Sequence, residues 1–212
     1  MRIAVLGAGM VGGTLGERFA QVGHDVYFGV PSPQDEKIRG ILSRIGSKAR
    51  AGLVSEATRD AEIVVLATPW DAVPSAIVSA GDLAGKIVID CTNPLGKTDV
   101  GLGLLIGHTN SGAEQVAAWA TGAHVCKAFN QTGYANMAEP RFAQGSALMF
   151  VCGDDPGSRE VVQQLVASIG FDAVDAGGLK IARLLEPLAM LWIHLSLTTE
   201  LKRDFAFALL RR

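Results

Sequence analysis

A glycine-rich hexapeptide near the N-terminus is the part of the chain best suited to chemistry. Gly7, Gly9 and Gly12 form a G-x-G-x-x-G pattern between the apolar run 3–6 and a helix-like segment, 10–22. In this setting the first glycine permits a tight turn, the second lets the backbone approach a pyrophosphate, and the third lets helix and strand pack closely. The helix N-terminus adds free N–H groups and a partial positive charge. The hexapeptide therefore predicts a dinucleotide site.

The segment after the second predicted strand should select the nicotinamide nucleotide. NAD-specific sites usually carry an acid there, about 20 residues after the glycines, to hold the ribose 2′-hydroxyl. This chain instead has Val30, Pro31 and Ser32, with Lys37 in the following helix. Ser32 and Lys37 could bind a 2′-phosphate, although no arginine supplies the bidentate fork that grips one. The pattern modestly favours NADP and leaves NAD open.

Neutral side chains follow the other predicted strands, at the edge of the sheet where ligands bind. They are Ala67, Thr68, Pro69, Trp70, Asn93, Pro94 and Asn130. A dehydrogenase acting on an alcohol normally places a His, Lys or Tyr there to move the proton, and no such residue is obvious, so we assign no catalytic residue. A neutral, flat-walled pocket suits hydride transfer between two stacked rings, with a flavin-like acceptor.

Two further residues are candidates for contacts in this pocket. His108 lies in the long loop after the fifth strand and could reach it, and Lys127 could contact an anion. We find no metal-ligand spacing and no nucleophile–base pair in the sequence.

Strand-like and helix-like segments alternate throughout, which predicts an α/β fold with a doubly wound, mostly parallel sheet. The predicted strands are 2–6, 26–29, 52–54, 63–67, 87–90, 124–129, 147–152 and 171–175. The predicted helices are 10–22, 33–45, one starting at Ser55-Glu56, 111–122 with a Ser111/Glu114 capping box, one capped by Asp155-Pro156, and a long C-terminal helix. Residues 93–110 read as a Gly-rich loop. No linker divides the chain, so we predict a single domain, 1–212.

The C-terminal helix, about 179–212, carries more apolar surface than one exposed face should. Its large residues are Leu184, Leu185, Leu188, Leu191, Trp192 and Leu195. Packing against a second subunit, as a dimerisation element, and packing onto the helix's own sheet both account for this surface. The apolar run 188–197 is interrupted by His194 and Ser196, and we expect it to be too short to span a bilayer.

Composition narrows the class of protein. Of 212 residues, 49% are apolar and 19% are charged, with a net charge of −2, which argues against nucleic acid or an anionic membrane surface as the main partner. Cys91, Cys126 and Cys152 are odd in number and widely spaced, as expected for buried, reduced thiols in a cytosolic protein. The chain passes from Met1-Arg2 directly into a strand, so we predict no signal peptide and a cytoplasmic location.

Several motifs in order along the chain resemble the coenzyme F420-dependent NADP oxidoreductases, whose Rossmann fold also forms the reductase domain of the STEAP metalloreductases. They are Gly7-Ala8-Gly9-Met10-Val11-Gly12, Thr68-Pro69-Trp70, Asp90-Cys91-Thr92-Asn93-Pro94-Leu95, Lys127-Ala128-Phe129-Asn130, Cys152-Gly153-Asp154-Asp155, Asp175-Ala176-Gly177 and Arg183-Leu184-Leu185-Glu186-Pro187-Leu188. The family commonly has Gly-Ser-Arg or Gly-Val-Arg after the second strand, where this chain has Gly29-Val30-Pro31.

The resemblance implies reversible hydride transfer between a nicotinamide and the deazaflavin F420, or a flavin in its place, in a dimeric Rossmann protein, which we expect to be a homodimer. It implies backbone contacts of Met10 and Val11 with the pyrophosphate, and Thr68 and Pro69 flanking the nicotinamide. It also implies that the binding site of the hydride acceptor is lined by Asn93, Pro94 and Asn130.

Two other functions stay open. One is an imine reductase of the pyrroline-5-carboxylate type, which shares the N-terminal fold but normally has a longer helical C-terminal domain. Only about 35 residues follow the last predicted strand here. The other is a non-catalytic sensor of the NAD(P)H redox state.

Overall fold

The computed structural model describes residues 1–99 and 101–212, and its centre is an eight-stranded sheet. In chain order the strands are β1 Arg2–Leu6, β2 Asp25–Gly29, β3 Ala49–Gly52, β4 Ile63–Leu66, β5 Ile87–Asp90, β6 Leu95–Thr98, β7 Gly101–Leu104, β8 His124–Lys127, β9 Arg141–Phe142, β10 Gly145–Ser146, β11 Leu148–Gly153 and β12 Asp172–Gly177. The sheet order is β12-β11-β8-β5-β4-β1-β2-β3, and two separate hairpins join β6 to β7 and β9 to β10. This arrangement confirms the predicted doubly wound, mostly parallel fold.

Helices cover both faces of the sheet. They are α1 Met10–Gln21, α2 Glu36–Ile45, α3 Val54–Arg59, α4 Val73–Ala80, α5 Gly112–Trp119, α6 Tyr134–Ala138, α7 Pro156–Ser168 and α8 Ala182–Thr198. Alternation along each strand divides the core into two layers. In β1, Ile3 and Val5 pack with α1, α2 and α7, whereas Ala4 and Leu6 pack with α3, α4, α5 and α8. Both faces of the central strands are therefore buried, which explains their uninterrupted apolar sequences.

The predicted third strand, 52–54, is wrong by several residues. The strand is β3, Ala49–Gly52, which pairs in parallel with β2, and Val54 already opens α3. The backbone N–H of Leu53 donates to the Glu56 carboxylate at 2.8 Å, and this contact starts the helix at the point where the sequence suggested a strand.

The predicted Gly-rich loop, 93–110, is also partly wrong, because it contains the β6–β7 hairpin. Glycine-rich segments have low strand propensity, so composition hides the hairpin. The Thr98 hydroxyl donates to the Gly101 carbonyl at 2.9 Å, which links the end of β6 to the start of β7. Helix α6 and the β9–β10 hairpin were likewise not predicted.

One junction in the sheet is antiparallel and short. Strand β11 runs antiparallel to β8, and only two residue pairs join them, Cys152 with Lys127 and Gly153 with Cys126. Strand β12 then continues the sheet parallel to β11. The last two strands therefore run opposite to the other six.

The C-terminal helix is shorter than predicted, because α8 ends at Thr198 and the chain then turns back along the domain. In this tail the Phe205 carbonyl accepts hydrogen bonds from Asn136 (2.8 Å) and from the Trp192 indole (3.1 Å). The Phe207 carbonyl accepts from the backbone N–H of Leu148 at 2.8 Å. The tail thereby holds α8 against the start of β11.

Helix α8 and the 3₁₀ turn before it form a 20-residue segment, Leu179–Thr198, which is long and apolar enough to cross a membrane by length and composition alone. This segment is longer than the apolar run 188–197, which the sequence predicts to be too short to span a bilayer. One side of the segment packs on the domain through Leu185, Ala189 and Trp192. The other side leaves Leu184 66% and Leu191 48% exposed.

Candidate functional site

The three glycines of the first loop have different structural roles. Gly7 has φ +98°, and a Cβ there would lie 2.8 Å from the Ala67 carbonyl oxygen. A Cβ on Gly12 would overlap the Gly7 carbonyl oxygen, whereas a Cβ on Gly9 would meet no atom within 4 Å. Gly7 and Gly12 therefore hold strand and helix together, while Gly9 faces open space. This is the cradle that the sequence pattern predicts.

The first turn of α1 presents free donors to this open space. The helix ladder begins with the hydrogen bond from Gly13 N to Gly9 O at 2.9 Å, so the N–H groups of Met10, Val11 and Gly12 precede it. No acidic residue lies in that turn. The turn can therefore accept a phosphate without charge repulsion.

A cleft of about 460 Å³ runs along the carboxyl ends of β1, β2 and β4. The predicted nucleotide-binding residues that line it are Gly7, Gly9, Val30, Pro31, Ser32, Lys37, Ala67, Thr68 and Pro69. A second cleft of about 640 Å³ between α1 and α2 is lined in part by Met10 and shares Gly9 and Lys37 with the first. The structure thus brings the two predicted segments, the glycine loop and the end of β2, to one surface.

Thr68 supplies an unpaired group in the wall of this cleft. Its hydroxyl oxygen is buried and has no hydrogen-bond partner among residues 1–99 and 101–212. Buried polar atoms are rarely left unpaired in a folded protein, and an orphaned one at a binding surface fits a ligand that completes it. The residues present therefore fit a bound nucleotide.

Sequence reasoning missed one acid at this site. Asp35 is the N-cap of α2, where its carboxylate accepts the Lys37 backbone N–H at 2.8 Å, and it lines both clefts. The signal that could have found it is an aspartate directly before a helical pattern. Asp35 and Lys37 place opposite charges beside Pro31, where the related family commonly has an arginine.

The acceptor-side candidates lie at the ends of β5 and β8. Asn93 Nδ2 donates to the Asn130 carbonyl at 2.9 Å, and Asn130 Nδ2 donates to Asn93 Oδ1 at 3.0 Å and to the Leu185 carbonyl at 3.2 Å. Asn130 is buried, whereas Asn93 is half-buried. Asn130, the more deeply buried of the two, therefore fixes the position of Asn93 through these hydrogen bonds.

Aromatic and apolar groups surround this pair. The rings of Trp70 and Trp119 lie 5.6 Å apart, and a Cβ on Gly112 would lie 3.1 Å from Trp70 and 3.2 Å from Pro94. The start of α5 therefore lies close to both Trp70 and Pro94. His108 is exposed in the turn before α5, with φ +59°.

A buried ion cluster lies directly beneath the acceptor-side residues. Lys127 Nζ lies 2.8 Å from Asp90 Oδ2 and 2.8 Å from Glu186 Oε1, and all three side chains are at most 1% exposed. Burial opposes the charged form of Lys127, but Asp90 and Glu186 outweigh it and raise its pKa. The anion contact suggested for Lys127 is thus made, with two carboxylates of the chain itself.

The cysteines are free and buried, as predicted, and burial governs their chemistry. It raises the pKa of Cys126 and of Cys152 to about 12, and burial beside Asp90 raises the pKa of Cys91 well above its usual range. Neutral thiols are poor nucleophiles. Over residues 1–99 and 101–212, no three His, Cys, Asp or Glu side chains are grouped to hold a metal ion.

A doubly wound sheet with a glycine cradle, a helix N-terminus free of acids and a neutral edge beside them defines a dinucleotide-binding oxidoreductase of the Rossmann class. A sequence model of the family described as NADP oxidoreductase, coenzyme F420-dependent, matches residues 2–94. The chain is 30% identical to the F420-dependent NADP reductase of Methanocaldococcus jannaschii over 168 residues, 76% of this chain and 75% of that protein. It belongs to this family and is an NAD(P)-dependent oxidoreductase.

Two further comparisons extend this finding. A solved structure of a protein from Arthrobacter sp. FB24, proposed to be an F420-dependent NADP reductase, is 32% identical with a TM-score of 0.89, covering 100% of both chains. The rat metalloreductase STEAP3 is 30% identical over 190 residues, 89% of this chain, but the chain spans only 36% of that protein's length.

Proposed function

We propose that this protein transfers a hydride between NADPH and the deazaflavin F420. The observation that carries the nucleotide half is the open cradle at Gly9, next to the unpaired Thr68 hydroxyl. The names of the relatives in the family supply the acceptor. When bound, the nicotinamide supplies the hydride and the deazaflavin ring receives it.

The chain's own residues would bind and orient the nucleotide. The N–H groups of Met10, Val11 and Gly12 face the pyrophosphate, and Thr68 and Pro69 flank the nicotinamide. At the other end of the cleft, Ser32 and Lys37 offer a hydroxyl and an ammonium to a 2′-phosphate. Asp35 offsets part of that charge, which keeps NADH as a usable donor.

The acceptor binds beside Trp70, Asn93 and Pro94, with Asn130 fixing Asn93 and His108 at the rim. Since this edge carries no buried acid or base aimed outward among the described residues, its contribution is proximity and orientation of the two rings. Ring-to-ring hydride transfer needs little else from the protein, whereas alcohol oxidation needs a positioned base.

The test offers F420, FMN and FAD separately to purified protein with NADPH or NADH, and follows nucleotide oxidation. We expect rapid turnover with F420, faster with NADPH. Turnover with a flavin alone would reassign the acceptor. Tight nucleotide binding without turnover on any of the three would contradict the proposal and favour an imine substrate or a redox sensor. Gly9→Val is the control, since it should remove the activity and keep the fold.

We also propose a homodimer formed through α8, in a cytoplasmic protein. Leu184, Leu188, Leu191 and Leu195 recur at helical spacing on the side of α8 away from the core, and two of them are about half exposed or more. Leu184→Glu with Leu191→Glu should give a monomer in sedimentation analysis. A wild-type monomer at micromolar concentration would contradict the proposal.

A further inference from the structure

The Lys127 cluster, formed with Asp90 and Glu186, is completely buried. Three ionisable side chains are buried with one positive and two negative charges, and well-packed apolar residues often stabilise a core as well as a buried ion pair does. The excess negative charge is met by the N-terminus of α5, where Glu186 accepts the backbone N–H groups of Gly112 (2.9 Å) and Ala113 (3.1 Å). The cluster therefore joins α8, α5, β5 and β8 at one point.

The contacts of the cluster lead to the acceptor side of the site. Lys127 Nζ donates to the Thr92 carbonyl at 2.7 Å, and Asp90 Oδ1 accepts from the Thr92 backbone N–H at 2.9 Å and from its hydroxyl at 2.7 Å. Both backbone polar groups of Thr92 are thus fixed by charged partners, and the next residue is Asn93. Charge-assisted hydrogen bonds are about twice as strong as neutral ones.

Glu186 fixes the opposite wall of the same edge. It holds the start of α5, and Gly112 there approaches both Trp70 and Pro94 closely enough that a Cβ would lie 3.1 Å and 3.2 Å from them. The neighbouring Leu185 carbonyl accepts the Asn130 amide at 3.2 Å. Helix α8 therefore contacts the start of α5 through Glu186 and Asn130 through the Leu185 carbonyl, and it is linked to Thr92 through Lys127.

We propose that Glu186 and Lys127 are positioning residues for the acceptor: they hold Thr92, Asn93 and the start of α5 in the geometry that hydride transfer requires. This inference rests on the proposed function. A misplacement of about 1 Å at a distance from the chemistry can cost about 100-fold in rate, so loss of the cluster should slow transfer without changing the nucleotide cleft.

A second ion pair joins the same two helices and supplies a matched control. Arg183 on α8 contacts the Glu114 carboxylate on α5 at 2.6 Å and 2.9 Å, and this pair is partly exposed. Arg183→Gln weakens the attachment of α8 to α5 but leaves Thr92 and its partners intact. Glu186→Gln keeps the side-chain volume and places an amide N–H against a group that already donates.

The experiment compares Glu186→Gln with Arg183→Gln in the full chain, and uses Asp90→Asn as a second cluster variant in case Glu186→Gln does not fold. For the cluster variants we expect kcat with F420 to fall about 10- to 100-fold, with the NADPH Kd within about twofold of wild type. Hydrogen exchange of the Thr92 amide should rise about tenfold in Glu186→Gln. Arg183→Gln should resemble wild type in all three measurements.

The outcomes separate this inference from the proposed function. If Arg183→Gln slows transfer as much as Glu186→Gln does, helix attachment alone matters and the positioning role is overturned. Equal kcat in wild type and cluster variants also overturns it. If the wild type reduces no offered acceptor, the proposed function fails, and exchange at Thr92 still decides whether the cluster fixes this segment.

Discussion

The two halves of the site hold their geometry by different means. In residues 1–89 the structure buries no charged side chain, and the nucleotide cleft is lined by glycines, short neutral side chains and the exposed charges of Asp35 and Lys37. From residue 90 onward it buries Asp90, Lys127 and Glu186 directly beneath the acceptor side. A phosphate-bearing ligand brings its own charge to the first half, so exposed donors suffice there. In the proposed function the second half binds a flat ring, and its precision then has to come from groups inside the fold.

The largest effect should come from removing the cation of the buried cluster in the second half of the site. Lys127→Met leaves two buried carboxylates without their cation, and we expect the free energy of unfolding to fall by about 3–5 kcal/mol. Guanidinium-induced unfolding measures this loss. Lys86→Met is the matched control, since the Lys86 ammonium donates to the neutral carbonyls of Arg59 and Ala61, and its loss should cost about 1 kcal/mol. Equal losses in the two variants would contradict the comparison.

Gly9→Val should weaken nucleotide binding in the first half of the site and leave the stability of the fold unchanged. A Cβ at this position meets no protein atom within 4 Å, and the valine would project toward the phosphates, so NADPH affinity should fall about 100-fold, or about 2.7 kcal/mol. Titration calorimetry gives the affinity and thermal unfolding the stability. Gly12→Val should differ by also costing stability, about 1–3 kcal/mol from overlap with the Gly7 carbonyl, while it weakens NADPH binding as well because the overlap displaces the same loop. Unchanged affinity in Gly9→Val would refute the cradle.

Pro31→Arg should increase the selectivity of the nucleotide cleft for NADPH over NADH. An arginine at this position adds a bidentate phosphate fork to the cleft at the end of β2, which no arginine lines, so the NADPH/NADH ratio of kcat/KM should rise about tenfold. Gln34→Arg adds the same charge in the same loop without lining either cleft, and it should change the ratio little. Equal ratios before and after the Pro31 change would show that this position does not face the 2′-phosphate.

The smallest effect concerns the thiols of the second half. Cys126 stays neutral in the fold up to a pKa of about 12, whereas an unfolded cysteine ionises near 8.5. Its contribution to stability is therefore full at neutral pH and declines as the pH rises from about 8.5 toward 12. Between pH 7 and 9 the Cys126→Ala variant should lose less unfolding free energy than wild type, by about 1 kcal/mol. The same pH slope in both proteins would count against this assignment.

The sequence predicts the first half of the site better than the second for a physical reason. The glycine loop, β1 and α1 are contiguous, so their spacing alone fixes their relation, and the predicted residues at the end of β2 do line the same cleft. The Lys127 cluster could not be found this way, because Asp90 lies 37 residues from Lys127 and only the sheet order makes them neighbours.

Two local misreadings have a similar cause. Residues Ala49–Gly52 have weak strand propensity and become a strand through pairing with β2, and the glycines of the 93–110 segment hide a hairpin that pairs with itself. Tertiary pairing overrides local preference in both places. The site residues themselves stay predictions until ligands are tested.

The antiparallel junction between β8 and β11 divides the chain into two pieces that share few backbone pairs. The exposed turn at residues 143–144, between β9 and β10, is the point where the chain crosses from one piece to the other. The shorter piece, which follows this turn, contains β11, β12, α7, α8 and Glu186. The longer piece, which precedes it, contains the residues of the nucleotide cleft together with Asp90 and Lys127. Cut at this turn, the protein should behave as a complementing pair of fragments. Because α7 packs in the same core layer as α1 and α2, nucleotide binding and hydride transfer should both return only when the two fragments are combined.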